Sequence, residues 1–252
     1  MKMNTITPGL FFVATPLVAL LAFDAVAELS PEWVRPVPAG ASLSAGMQAM
    51  VVNAAGISYI TGINGPSSNT NCITAAIAPD GALLWSDEFN GAANWHDQAR
   101  GIALGPDSVL YVVGNTPGPG SYARVLLLKY DAATGARLDA TEYSSGPFTS
   151  EYGGSVAVDP LGDVYVGGGT VGDGADALIL KFDADGQVQW VRTWDGPAFG
   201  PYSQDSVQGL TLDPDGNPVV LIHGVMNSLH PDYVVIKYDA ADGNVIWETH
   251  WG

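Results

Sequence analysis

The chain has 252 residues, 9 Lys and Arg against 26 Asp and Glu, a formal net charge of −17 and one Cys. The acidic charge excludes a nucleic-acid binder, which needs a basic face for phosphate contacts, and the single cysteine excludes a disulfide framework. Because 47% of the residues are hydrophobic, the chain can build a large core and is not disordered.

The first segment in chain order, residues 1–27, has the pattern of a secretory signal peptide. Lys2 gives a basic start, the stretch Leu10 to Phe23 is almost wholly apolar, and Ala25-Val26-Ala27 supplies the small residues that signal peptidase requires. The stretch is shorter than the roughly 20 apolar residues that span a bilayer, so an anchoring helix is the weaker interpretation. We expect cleavage before Glu28 and a secreted or cell-envelope protein, with no membrane insertion after cleavage.

The rest of the chain repeats itself, which is the signature of a stacked architecture. Three near-copies of one apolar segment occur at 127–131, 179–183 and 235–239, and a turn sequence with glycine follows each. At a later position of the unit the residue is nearly always tryptophan, and the residues at this position in successive units are 52, 54, 51 and 57 residues apart. These are Trp33, Trp85, Asp139, Trp190 and Trp247.

Each unit has the pattern of four short strands. In the third unit Leu178, Leu180 and Phe182 alternate with residues that face the other way, which is the period of two of a strand. A four-stranded meander cannot bury both faces alone, and stacking copies around an axis buries them. The sequence therefore predicts an all-β fold, a β-propeller of four blades of about 50 residues, either closed or as an open or incomplete ring. The predicted blades are 46–91, 92–146, 147–196 and 197–252, preceded by an N-terminal outer strand and linker at 28–45.

The third unit carries a recognisable set of residues, which are Ala157-Val158-Asp159, Gly162, Val164-Tyr165-Val166, Asp176-Ala177, Lys181, Asp183, Gly186 and Trp190. This set resembles the bacterial SBBP-type β-propeller repeat, and it recurs in register over nearly the whole mature chain. The resemblance implies a propeller in an exported bacterial or archaeal protein, often within a larger surface protein. It implies no established activity, because a fold alone does not specify a function.

Residues typical of catalytic and metal sites form no motif. The four histidines lack the i, i+4 spacing of a zinc-binding helix, and no Gly-x-Ser-x-Gly elbow is present. The Asp-rich turns at 183–186 and 213–217 begin like calcium loops but lack the Glu at position 12, so ordinary hairpin turns are the simpler interpretation. Carboxylate pairs of the glycosidase type stay open, since folding can bring any acids together. We expect no catalytic residues, no metal and no cofactor, with calcium as the alternative.

Three acids recur at one position, just before the first strand of a blade. They are Asp97, Glu151 and Asp205, and the first blade has Ala45 there. Side chains at this position face the mouth of a propeller's central channel, so we predict a ligand-binding ring of carboxylates. Unit charges ~8 Å apart repel by ~2 kcal/mol at an effective dielectric of 20, which would raise a pKa or recruit a cation. The alternative is that each acid is solvated or caps a turn in its own blade.

The recurring tryptophans predict packing between blades. We expect Trp85, Trp190 and Trp247 to be buried; a quinone-binding propeller enzyme carries a different tryptophan pattern. Glu32-Trp33-Val34-Arg35 matches the outer strand at 189–192, which makes seventeen strands where a closed ring of four blades needs sixteen. We therefore expect part of a larger propeller, with self-association through open blade edges.

For function, these features favour a non-enzymatic propeller that serves as a binding or structural scaffold at the cell surface. Its partner would be an extracellular protein or a glycan, met by the loops of one face. The alternatives are an extracellular hydrolase or lyase acting on polysaccharide, and a lectin-like module that uses exposed aromatics such as Trp95 and Tyr202.

Overall fold

The computed structural model describes residues 46–66, 68–171, 175–196, 205–227 and 230–251. The predicted signal peptide and N-terminal outer strand lie outside these residues, as does Tyr202. Two short 3₁₀ turns, Pro106–Ser108 and Pro119–Ser121, interrupt an otherwise all-β structure. Among the described residues, no helix has the length and apolar character to cross a membrane.

The described residues form four antiparallel sheets of four strands each, in which strands consecutive in sequence are neighbours. Blade 1 contains β1 (Met47–Val52), β2 (Ser58–Asn64), β3 (Asn71–Ile77) and β4 (Leu83–Phe89). Blade 2 contains β5 (Gln98–Leu104), β6 (Val109–Pro117), β7 (Ala123–Asp131) and β8 (Arg137–Tyr143). Blade 3 contains β9 (Ser150–Val158), β10 (Val164–Val171), β11 (Ala175–Phe182) and β12 (Val188–Trp194). Blade 4 contains β13 (Ser206–Leu212), β14 (Pro218–Asn227), β15 (His230–Tyr238) and β16 (Val245–Trp251). The predicted propeller of four four-stranded blades is confirmed.

The aspartates of the hairpin turns are used by the turns themselves. Between β9 and β10, Asp159 Oδ1 accepts the N–H groups of Leu161 and Asp163 at 2.9 and 3.0 Å. Gly162 in the same turn has φ +87°, which glycine adopts without a steric cost. Asp183 Oδ1 likewise accepts two N–H groups of its own turn, at 3.0 and 2.8 Å. These are the ordinary Asp-Gly turns that the sequence predicts.

Consecutive blades pack face to face and bury three apolar clusters. The cluster between blades 2 and 3, for example, joins Tyr111, Val113 and Leu127 to Val166 and Leu180. Similar clusters join blade 1 to blade 2 and blade 3 to blade 4. Within the part of the chain that the structure describes, no such cluster joins blade 4 to blade 1. The described residues of the four blades therefore form three apolar interfaces.

A tryptophan of the outer strand fastens two of these interfaces. Trp190 of blade 3 is 6% exposed, lies between Tyr165 and Tyr238 with ring centroids 6.1 and 6.4 Å away, and donates its Nε1–H to the Ala240 carbonyl of blade 4 at 3.2 Å. Trp85 of blade 1 makes the equivalent bond across the interface between blades 1 and 2, to the Ala132 carbonyl at 3.0 Å. The predicted packing role is confirmed for both residues, although only Trp190 is buried as predicted and Trp85 is half-buried.

The interface between blades 2 and 3 has Asp139 at the tryptophan position, and a lysine takes over the bond. Lys129 Nζ donates to the Ala184 carbonyl of blade 3 at 2.7 Å and lies 5.9 Å from the Tyr111 ring centroid. Ala184 is the counterpart of Ala132 and Ala240 in the repeat. A donor to the carbonyl at this position is therefore common to all three interfaces, whether it comes from an indole or an ammonium group.

The prediction that Trp247 is buried is wrong. Its side chain, on the outer strand of blade 4, is 43% exposed. The physical reason is that no blade among the described residues packs on it, whereas blade 4 covers Trp190.

Candidate functional site

The three predicted acids are all buried, and they hold equivalent places in the fold. Asp97 and Asp205 immediately precede the inner strands β5 and β13, and Glu151 is the second residue of inner strand β9. Each inner strand is reached through a loop from the outer strand of the preceding blade. The acids therefore stand at the three junctions between blades.

Each carboxylate accepts a hydrogen bond from its own junction loop. The donor is the backbone N–H of the second residue after the outer strand, which is Gly91 for Asp97 at 2.7 Å and Gly196 for Asp205 at 2.8 Å. For Glu151 it is Ser145, at 3.1 Å from Oε1. A buried N–H needs such an acceptor, so each acid fixes the loop that sets one blade against the next.

The backbone of two of the acids ties the junction to a third strand. The Asp97 N–H donates to the Thr70 carbonyl and the Asp205 N–H to the Ala175 carbonyl, both at 2.7 Å. Both carbonyls lie where the third strand of the preceding blade begins, so the acids lie at the end of the blades that carries the loops between second and third strands. These contacts favour the capping interpretation of the acids, and the ligand-binding ring of Asp97, Glu151 and Asp205 stays a prediction.

Two of the buried carboxylates, those of Asp97 and Glu151, each have one oxygen without a hydrogen-bond partner among the described residues. Burial raises the pKa of Asp97, while the Thr116 hydroxyl and the Gly91 N–H beside it lower that pKa by less. Glu151 Oε1 accepts hydrogen bonds from the hydroxyls of Ser145 and Thr149, the latter at 2.6 Å, whereas Oε2 is buried without a partner among the described residues. A carboxylate oxygen of this kind is costly to bury.

Asp205 belongs to a cluster of three acids that the sequence did not predict. One carboxylate oxygen from each of Asp176, Asp195 and Asp205 lies within 4.8 Å of the others. Burial, followed by the negative charges of Asp195 and Asp205, raises the pKa of Asp176. Three such oxygens have the chemistry to hold a hard cation such as calcium or to share a proton.

The cluster did not emerge from the repeat because its members do not recur. The counterparts of Asp176 and Asp195 in blade 1 are Asn71 and Asn90, and in blade 2 they are Arg124 and Ser144. Of the three members, only Asp205 lies at a position where acids recur between blades. The cluster is local to the junction between blades 3 and 4.

A cavity of about 290 Å³ lies where the inner strands of all four blades meet. Its lining residues are Gln48, Arg100, Tyr152, Gly154, Ser155, Val207 and Gln208. The lining contains one cation, several neutral hydrogen-bonding groups and no carboxylate. It is therefore electrostatically unlike the protein as a whole, which is strongly acidic.

A second cavity, of about 420 Å³, lies between blades 3 and 4 at the opposite end, beside the hairpin turns. Its one cation, Lys181, is already paired. Lys181 Nζ lies 2.8 Å from Asp163 Oδ2 and donates to the Ala240 carbonyl at 2.9 Å. Ion pairing with Asp163 and the Tyr165 hydroxyl raise the pKa of Lys181 in spite of its burial. This lysine binds the blades together, so its ammonium group is already engaged.

The other residues considered in the sequence have ordinary surroundings. His250 is exposed on β16 and lies 2.8 Å from Glu248, and His223 packs edge-on against Tyr233. Cys72 is buried, which raises the pKa of its thiol.

Trp95, 41% exposed, lies in the junction loop of Asp97, and Phe148, 75% exposed, lies in that of Glu151. Two junction loops therefore present an exposed aromatic ring close to their buried acid.

The last blade exposes a face that the other blades bury. We call the side of a blade that packs on the following blade its forward face. Tyr111 and Tyr165 mark the forward faces of blades 2 and 3, and both are buried. On the forward face of blade 4, four large side chains are exposed by 37, 50, 43 and 62%, and they are Leu221, Tyr233, Trp247 and Trp251. Exposed apolar patches of this kind mark interaction surfaces.

Comparison with known proteins places the chain among β-propellers. No family model and no curated protein sequence matches it. A quinohemoprotein alcohol dehydrogenase, ADHIIG from Pseudomonas putida, is similar over 82% of this chain and 34% of its own, with 18% identity and a TM-score of 0.58. The quinohemoprotein alcohol dehydrogenase from Comamonas testosteroni is similar over 81% and 35%, with 18% identity and a TM-score of 0.53.

This chain therefore spans about a third of the length of each dehydrogenase. The periplasmic gluconolactonase of Pseudomonas aeruginosa also matches, over 79% of this chain and 71% of its own, at 12% identity and a TM-score of 0.40. At these identities the likeness to the dehydrogenases concerns the fold. The resemblance to the SBBP-type repeat stays a prediction.

Proposed function

We propose that the protein is exported and serves, without enzymatic activity, as a binding or structural scaffold that forms one section of a larger propeller at the cell surface. The observation that carries this proposal is the exposed forward face of blade 4. Trp247 there has the same place in its blade as Trp190, which the next blade covers. The signal-peptide pattern at residues 1–27 supports export.

The chemistry of the described residues supports a scaffold over an enzyme. Among the described residues, the groups with raised pKa values lie at blade interfaces or junctions or belong to the cluster of Asp176, Asp195 and Asp205. The lowered pKa values of Asp131 and Asp213 come from hydrogen bonds in or beside their hairpin turns. That cluster lines neither the cavity of about 290 Å³ nor the cavity of about 420 Å³. A deep pocket with perturbed acids and bases would favour an enzyme.

A lectin-like role is the second candidate, and the exposed rings of Trp95 and Phe148 favour it. Aromatic faces at neighbouring junctions are suited to stacking on sugar rings, since an aromatic side chain offers a large apolar surface. An array of glycans, probed with the protein and with Phe148→Ser, tests this role. Loss of a specific glycan signal in the variant would support it.

Sedimentation velocity over a range of concentrations tests the scaffold proposal. We expect the purified protein to self-associate through blade 4 as its concentration rises, and Trp247→Glu to stay monomeric. The control is Leu138→Glu, which changes an apolar residue that is more exposed than Trp247, at 57% against 43%, on the outer strand of interior blade 2. A wild-type protein that remains monomeric at every concentration would contradict the proposal, as would equal effects of the two variants.

A further inference from the structure

The central cavity is built from one position repeated in all four blades. Gln48, Arg100, Gly154 and Gln208 each lie four residues before the end of their inner strand, and all four line the cavity. In every inner strand the pairing with the second strand skips this residue, as in a β-bulge, and bulges re-aim side chains. The repeat thus places two amides and one guanidinium around a single space.

The guanidinium of Arg100 is held in a fixed orientation by neutral groups. Its Nε donates to Asn115 Oδ1 at 3.2 Å, and its Nη2 donates to Gln98 Oε1 at 2.7 Å. Its Cζ atom lies 5.2 Å from the centroid of the Tyr152 ring, where the cation interacts with the π-face. Within the described part of the chain, Nη1 donates to no residue. The charge is therefore oriented but not neutralised.

Every other described cation has a partner that explains its position. Arg124, Arg137, Lys181 and Lys237 form ion pairs with Glu142, Asp87, Asp163 and Asp213. Lys129 and Arg192 donate to backbone carbonyls of the following blade. Arg100 alone among the described cations has neither a carboxylate nor a carbonyl partner, although acids outnumber bases in the sequence by 26 to 9.

We propose that the cavity binds a small hydroxylated carboxylate of the size of one hexuronate sugar. A guanidinium with free N–H groups is the group best suited to a carboxylate, because it donates two parallel hydrogen bonds. Ligand pockets start at about 300 Å³, so a cavity of about 290 Å³ suits a molecule of this small size.

The other residues that line the cavity suit the hydroxyl groups and the ring of such a sugar. The amides of Gln48 and Gln208 and the hydroxyl of Ser155 supply donors and acceptors for sugar hydroxyls. The Tyr152 ring offers an apolar surface for the C–H groups of a sugar ring. The site lies on the inner strands and not on the forward face of blade 4, so it goes beyond the scaffold role and does not depend on it.

Isothermal titration calorimetry with D-glucuronate, and with D-glucose as the uncharged control, tests this proposal. We expect glucuronate to bind and glucose to bind at least roughly tenfold more weakly, because glucose lacks the charged group that Arg100 receives. Arg100→Gln should weaken glucuronate binding by roughly ten- to hundredfold, and Arg100→Lys by less, since a lysine keeps the charge and loses the paired hydrogen bonds.

The matched control is Arg124→Gln, which removes a surface arginine of the same blade that is paired with Glu142. It should leave glucuronate binding unchanged. Thermal melts of all variants should agree closely, since Arg100 is exposed. The proposal is overturned if millimolar glucuronate gives no binding, if glucose binds equally well, or if Arg100→Gln binds like the wild type.

Discussion

Replacing Trp190 with Ala removes the side chain that fastens blade 4 to blade 3. The indole is 6% exposed, packs against Tyr165 and Tyr238, and donates to the Ala240 carbonyl at 3.2 Å. Truncation of a buried aromatic costs about 3–5 kcal/mol. The lost hydrogen bond adds about 1 kcal/mol, so we expect the upper part of that range.

Chemical denaturation, followed by tryptophan fluorescence and circular dichroism, measures the loss. A destabilisation of this size corresponds to a melting temperature lower by roughly 10 °C or more in a domain of about 200 residues. The control is Trp247→Ala, which truncates the equivalent residue where no following blade covers it. Its expected cost is below about 1 kcal/mol, as for other exposed positions. Equal losses in the two variants would refute the assignment of Trp190 to an interface and of Trp247 to a free face.

Three further predictions concern the junctions and turns. Asp97→Ala should cost about 1–3 kcal/mol because it leaves the buried Gly91 N–H without an acceptor, whereas Asp97→Asn retains an acceptor and should cost less by the same denaturation assay. The pKa of Asp176 is raised in the folded protein, so its ionisation lowers stability as the pH rises through its unfolded and then its folded value. Asp176→Asn should remove that loss. In thermal melts at a series of pH values, the melting temperature of the variant should rise relative to that of the wild type above the folded pKa, and the difference should not change below about pH 4. Gly243→Ala should cost at least about 1 kcal/mol more than Gly216→Ala, since both glycines have positive φ but only at Gly243 would a Cβ approach the tryptophan ring of blade 3, to 2.7 Å; equal melting temperatures of these two variants would contradict this.

The blades could be predicted because their determinants are local and repeated. The alternation of Leu178, Leu180 and Phe182 marks a strand, and Asp159 and Gly162 mark the turn between the first two strands of the same blade. Such signals depend on neighbours in sequence. The burial of Trp247 was predicted wrongly for a related reason: recurrence defines a residue's position within its blade, and its exposure depends on whether another blade covers it.

The candidate sites were less accessible to sequence reasoning because they depend on residues that differ between blades. Recurrence identified Asp97, Glu151 and Asp205, but their burial depends on the loop N–H groups that face them. Arg100 occupies a recurring position in which the other blades have Gln or Gly. A repeat pattern reveals the residues that the blades share. A residue that differs in one blade is recognised as part of a site only when the structure shows which residues the inner strands place around the cavity.

Hydroxyl-radical footprinting of Trp190 and Trp247 at low and high protein concentration tests the central claim, that the forward face of blade 4 is a docking surface. We expect Trp190 to be protected at both concentrations, and Trp247 to be oxidised in the dilute monomer and protected as the protein associates. Protection of Trp247 in the dilute monomer would show that the four blades close on themselves. Oxidation of Trp247 at every concentration would show that its face binds no second copy, and either result would contradict the account.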